Sequence, residues 1–141
     1  MRLVLDTNVL VSAFLWKGIP GRLIELAGEN EIEIYTSRAL LDELNEVLQR
    51  KKLAKPVQAT GFTAADLVKH YQRLAFRVTT RQLTQRISRD ADDDQILACA
   101  LAAKADLIVT GDKDLLILDT FRNMPIVTAA QAVRILESIV L

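Results

Sequence analysis

Short apolar runs of strand type alternate with helical segments along this chain, and two of those runs end in acids. Such alternation implies a parallel sheet covered on both faces, an α/β class. The first run, Arg2–Leu5, stops at Asp6, and Thr7-Asn8 then opens a short buried helix over Val9–Trp16. Lys17-Gly18-Ile19-Pro20-Gly21 reads as a turn, Arg22–Gly28 as a helix ended by Gly28, and Glu31–Tyr35 as a strand. Ser37 caps a helix to about Lys52, whose apolar residues Leu40, Leu41, Leu44, Val47 and Leu48 recur at helical spacing. Ala54–Gly61 reads as a connector, and Thr63 with Asp66 forms a capping box for a helix to about Leu74. Phe76–Thr79 is a short strand, Asp93–Ala105 a nearly all-apolar helix, and Leu107–Thr110 a further strand. Ile126-Val127 is the last strand and Ala129–Val140 the last helix.

The chain has 141 residues, half of them hydrophobic and 26% charged. That fits one globular domain, expected over residues 1–141, with a core large enough to need no disulfides. The one cysteine, Cys99, cannot form an intramolecular disulfide, and a reducing cytoplasm is the default expectation. The apolar start meets Asp6 too soon for a signal-peptide core, and no run approaches the length of a membrane span. The 18 basic and 18 acidic side chains exclude binding of nucleic acid through gross charge, although a local patch or a metal can supply the field. One histidine and one cysteine exclude the usual zinc sites, so chemistry here must use carboxylates, hydroxyls, amides or Lys and Arg.

In open parallel sheets, ligands bind beyond the carboxyl ends of the strands. Asp6 follows one strand directly, and Asp112 follows another through Gly111. Each also suits the N-cap of its following helix. On the Ser37 helix, Asp42 and Glu46 lie opposite the apolar stripe, whereas Glu43 lies at its edge and alone can reach inward. The alternative for Glu43 is an ordinary boundary residue. Asp90, Asp92, Asp93 and Asp94 lead into the apolar helix, more acid than a cap and a helix dipole require. Asp94 shares a face with Leu97, Ala98 and Leu101. Carboxylates gathered from these positions would repel one another, and a hard divalent cation resolves that. Oxygen-only ligands suit Mg²⁺ or Mn²⁺, which support phosphoryl chemistry by activating water and stabilising oxyanions.

Leu5-Asp6-Thr7-Asn8-Val9-Leu10, the Glu43 helix, Asp90-Ala91-Asp92-Asp93-Asp94 before an Ala-rich helix, and Thr110-Gly111-Asp112-Lys113-Asp114-Leu115 resemble, in that order, the PIN-domain ribonucleases. The branch they resemble is the VapC-like toxins of toxin–antitoxin pairs, over Met1 to about Thr128. The resemblance implies a three-layer α/β/α fold with a central parallel sheet and metal-dependent cleavage of single-stranded RNA to 5′-phosphate and 3′-hydroxyl ends. It places Asp6, Glu43, Asp94 and Asp112 at the catalytic, metal-holding positions, with Asp93 the alternative third acid. Asp94 is preferred because it begins the pattern Asp-x-x-Leu-Ala. Thr7, Asn8, Thr110, Asp93 and Asp114 are expected to support those acids. A cognate antitoxin and a homodimer are the expected partners.

The RNA backbone also needs cations. Arg50, Lys51, Lys52, Lys55, Arg77, Arg81, Arg86 and Arg89 are candidates, each with a solvated face as the alternative. Trp16 can stack a base, with a core or dimer-interface place as the alternative. His70 reads as a surface or boundary residue and Cys99 as core. Two other classes fit the residues less well. A silent PIN-like scaffold would lack a core acid, and none is lacking; a phosphotransfer enzyme of the haloacid-dehalogenase type needs Asp-x-Asp where this chain has Asp6-Thr7-Asn8.

Overall fold

The structure is a computed structural model that describes residues 1–81 and 91–140. Arg86, Arg89 and Asp90 lie outside them, as does the side chain of Asp92. Strands β1 (Arg2–Leu5), β2 (Glu33–Thr36), β3 (Phe76–Arg77), β4 (Leu107–Val109), β5 (Thr120–Phe121) and β6 (Met124–Val127) form one sheet in the order β3-β2-β1-β4-β6-β5. All neighbours are parallel except β5 and β6. Helices α1 (Thr7–Leu15), α2 (Gly18–Gly28), α3 (Arg38–Leu48), α4 (Ala54–Ala59), α5 (Ala64–Leu74), α6 (Ala91–Ala103), α7 (Lys113–Leu116) and α8 (Ala129–Val140) cover it.

Alternation along the central strands builds the three layers. Leu3 and Leu5 of β1 and Leu107 and Val109 of β4 enter one core, with Leu10, Leu23, Leu44, Tyr71 and Leu136. Val4 and Ile108 enter the opposite core, with Ile96, Leu97, Cys99, Leu115 and Ile126. Helix α3 touches both: Leu41 and Leu44 join the first core and Leu40 the second. It therefore leans over the sheet, with Glu43 on the half-buried flank between its buried rows.

The helix caps follow the sequence. Ser37 Oγ accepts from the Leu40 amide at 3.4 Å, and Thr63 and Asp66 form a reciprocal capping box. That box holds the exposed Asp66 carboxyl below its ordinary range, through the Thr63 backbone and then side-chain hydrogen bonds. Cys99 is fully buried, as expected, and burial pushes its thiol up to about 12, with a Ser37 hydrogen bond opposing.

Several expectations need correction. The Lys17–Gly21 turn is confined to Lys17 and Gly18, both left-handed at φ 58° and 52°, and α2 already starts at Gly18. The Ala54–Gly61 connector contains α4. Pro20 and Pro56 sit in the first turns of these helices, where no backbone donor is needed, so each marks a start rather than a break. Helix α3 ends at Leu48, and a 3₁₀ turn over Lys51–Leu53 replaces its predicted last turn. Helix α6 ends at Ala103, before left-handed Lys104 (φ 51°). The β5–β6 hairpin turns on Arg122 and Asn123, both at positive φ, as a two-residue primed turn requires. It makes the sheet mixed rather than wholly parallel. Trp16 is 60% exposed in this chain, which removes the core reading.

The core assignment is checked by chemical denaturation. Leu44→Ala removes a fully buried side chain and should cost about 2–5 kcal/mol. Ile117→Ala, at a residue 83% exposed, should cost no more than about 0.5 kcal/mol.

Candidate active site

Three chain segments bring acids to the carboxyl edge of the sheet. Asp6 leaves β1 in extended conformation (φ −64°, ψ 151°) and occupies the N-cap position of α1, yet its side chain makes no capping hydrogen bond. Instead, Thr110 Oγ1 donates to Asp6 Oδ2 at 2.7 Å. The same hydroxyl oxygen accepts from the Asp112 amide at 3.0 Å. Thr110 is completely buried, and a threonine hydroxyl has one proton to give. Thr110 thus fixes the Asp6 carboxylate against the backbone that carries Asp112.

Asp112 does act as an N-cap: its Oδ1 accepts from the Asp114 amide at 2.9 Å. That bond ties Asp112 to the half-turn carrying Asp114. The third member comes from the start of α6. Asp93 is 6% exposed, and one carboxylate oxygen each from Asp93, Asp112 and Asp114 lie within 4.8 Å of one another. Neither Asp6 nor Glu43 belongs to this group of three. Of the two candidates for the third acid, Asp93 is in the group, while Asp94 is half-buried beside it. Asp93 stands three, four and seven residues before Ile96, Leu97 and Ala100, all essentially inaccessible, so packing, not sequence pattern, puts it on the most buried face of α6.

The remaining site residues fall at varying removes. Glu43 is half-buried, whereas Asp42 and Glu46 are exposed, as their places on the helix require. Thr7 is buried and its hydroxyl meets no hydrogen-bond partner among the described residues; Asn8 is exposed. Arg50, Lys51, Lys52 and Lys55 are exposed beyond α3, with Arg50 3.9 Å from Glu46. His70 is exposed and meets Phe62 edge-on at 4.8 Å.

An octahedral ion of the magnesium type needs oxygen ligands at about 2.0–2.1 Å, so its ligand oxygens stand roughly 3–4 Å apart. Three carboxylate oxygens within 4.8 Å fit that with small side-chain rotations. The donor set is all oxygen, which suits a hard cation. Residues 2–114 match the PIN domain family. The chain belongs to the PIN-domain family. It is similar to an uncharacterized protein of Methanocaldococcus jannaschii, at 31% identity over 127 residues, covering 84% of this chain and 75% of that one. It also shares its fold with a chain of VapBC2 from Rickettsia felis, crystallised bound to a DNA fragment from their promoter. That likeness has a TM-score of 0.62 at 18% identity and covers 91% of this chain and 98% of the other. The Asp93–Asp112–Asp114 cluster is consistent with the metal-dependent nuclease site of a PIN domain.

Thr110 offers a clean test of how the site is held. Thr110→Val keeps the shape but removes the hydroxyl that joins Asp6 to Asp112. Mn²⁺ affinity, read by calorimetric titration, should fall about 10- to 100-fold, and Thr110→Ser should restore most of it. Unchanged affinity in the valine variant would show that the bridge is incidental.

Proposed function

We propose that this PIN-domain protein is a Mg²⁺- or Mn²⁺-dependent endoribonuclease, the toxin of a toxin–antitoxin pair. The observation that carries this reading is the convergence of Asp93, Asp112 and Asp114 at the carboxyl edge of β4, with Asp6 tied to the same backbone through Thr110. Asp93, Asp112 and Asp114 would hold the ion, and Asp6 would complete its surroundings. When bound, such an ion supplies charge stabilisation at phosphoryl oxygens and eases deprotonation of water. Glu43, on the helix leaning over this edge, would orient the attacking water and receive its proton. Asp94 would support Asp93 at the start of α6.

A cognate antitoxin, a second copy of the chain and a cytoplasmic setting belong to the same proposal. The Rickettsia felis structure is of VapBC2 with DNA of their promoter. This chain exposes Trp16, Ile19 and Phe62 at 60%, 53% and 47%, large apolar side chains of the kind a protein partner covers. Among the described residues, no helix is long and apolar enough to cross a membrane. A catalytically silent scaffold is the alternative, and the intact acid cluster speaks against it.

Cleavage of a labelled single-stranded RNA decides between them. Activity should appear with Mg²⁺ or Mn²⁺ and vanish in excess EDTA. Glu43→Gln and Asp93→Asn should each lose about 100-fold or more, while Asp42→Asn and Glu46→Gln stay within about twofold, as expected of exposed residues away from the site. Undiminished cleavage in chelator, or equal losses at all three positions of α3, would refute this mechanism.

A further inference from the structure

We infer that a groove of about 210 Å³ beside the acid site is the seat of one unpaired nucleotide next to the scissile phosphate, and that its walls set which base is accepted. The inference rests on the ribonuclease reading above. The groove is lined by Asn8, Ser12, Pro20, Thr110, Gly111 and Thr128, with Val9 and Ala129 completing it. All but Pro20 of α2 lie in the segments that follow the carboxyl ends of β1, β4 and β6, so the groove lies along the same sheet edge as the acids.

Three observations indicate the occupant. The first is adjacency. Thr110, completely buried behind the groove, donates to Asp6 and accepts from the Asp112 amide, and the exposed Gly111 of the groove wall lies between Thr110 and Asp112 in the chain. A strand whose phosphate lies at the acids therefore has its neighbouring nucleotide within reach of the groove. The second is size. Sites for drug-sized ligands run to about 300–1,000 Å³, so a depression of about 210 Å³ offers room for one ring-sized group. The third is charge. No lining residue carries one, so the groove does not suit a phosphate. It suits the uncharged part of a nucleotide, pressed on Val9, Pro20 and Ala129 and read by the exposed Asn8 carboxamide, which both donates and accepts. The wall at the α8 end is firm. The Thr128 amide donates to Gln131 Oε1 at 2.9 Å, and the Gln131 amide donates to Thr128 Oγ1 at 3.2 Å.

Two variants add bulk at the groove wall without replacing an acid. A Cβ at Gly111 would meet no heavy atom within 4 Å, and its backbone is not left-handed. Ala129 is the half-buried first residue of α8. Gly111→Leu and Ala129→Leu should therefore fold. The first measurement is anisotropy of single-stranded oligoribonucleotides binding in EDTA, against the same oligomers carrying a single abasic residue. Wild type should bind the intact oligomer about tenfold more tightly than the best-placed abasic one, and both variants should erase the difference. The second is mapping of cut sites in a randomised RNA with Mn²⁺. Both variants should raise KM about tenfold and change the preference at one position beside the cut, with Mn²⁺ affinity within about twofold of wild type. Equal binding of intact and abasic oligomers, or variants with unaltered discrimination and KM, would overturn the groove assignment. Base-dependent binding that the variants erase, with no cleavage by any form, would uphold the groove and refute the ribonuclease reading.

Discussion

Carboxylates held close together repel, and the functional edge of this protein is organised around holding them there. The restraint begins with one buried hydroxyl. Thr110 gives its proton to Asp6 and receives one from the amide of Asp112, so acids from two adjacent parallel strands share a single anchor. Asp112 in turn caps the short helix that carries Asp114. Asp93 arrives from α6, which packs in the same core as the helix carrying Asp114, and the buried face of α6 leaves it little freedom. A group of carboxylates so constrained suits a metal cation.

The fold makes this possible at low cost. β1 and β4 are neighbours in the middle of the sheet, each with fully buried side chains, so the positions just past their ends are set by two cores at once. The edge strands β3 and β5 contribute no acid to the cluster. The two layers meet at α3, whose leucines enter both cores and whose Glu43 faces neither fully.

Much of this was legible in the sequence, because the relevant signals are local. Leu3–Leu5 running into Asp6, the Thr63–Asp66 box and the α3 leucines each depend on spacing within one element. Four features are not legible there, for physical reasons. Pro20 and Pro56 favour a turn and a connector in the sequence, although proline in a first turn costs no hydrogen bond. The β5–β6 hairpin lacks an Asn-Gly turn and holds Pro125 in β6, a strand paired on both sides, where proline is unexpected, so neither flank signals pairing. The choice between Asp93 and Asp94 turned on which face of an almost wholly apolar helix points to the acids, and with apolar residues on every side the pattern has no contrast. Packing supplies it: the Ile96–Leu97–Ala100 face is the inaccessible one. The bridge at Thr110 joins residues 104 apart in sequence, which no local pattern can report.

The central claim is that Asp93, Asp112 and Asp114 together bind a divalent cation. Thermal unfolding with and without Mn²⁺ tests it without relying on activity. At about 100 times its dissociation constant, an ion bound only by the folded protein adds about 2.7 kcal/mol, which for a chain of this size raises Tm by several degrees. Wild type should show that gain, Asp94→Asn should keep most of it, and Asp93→Asn should show almost none. Equal gains in wild type and Asp93→Asn would contradict the account.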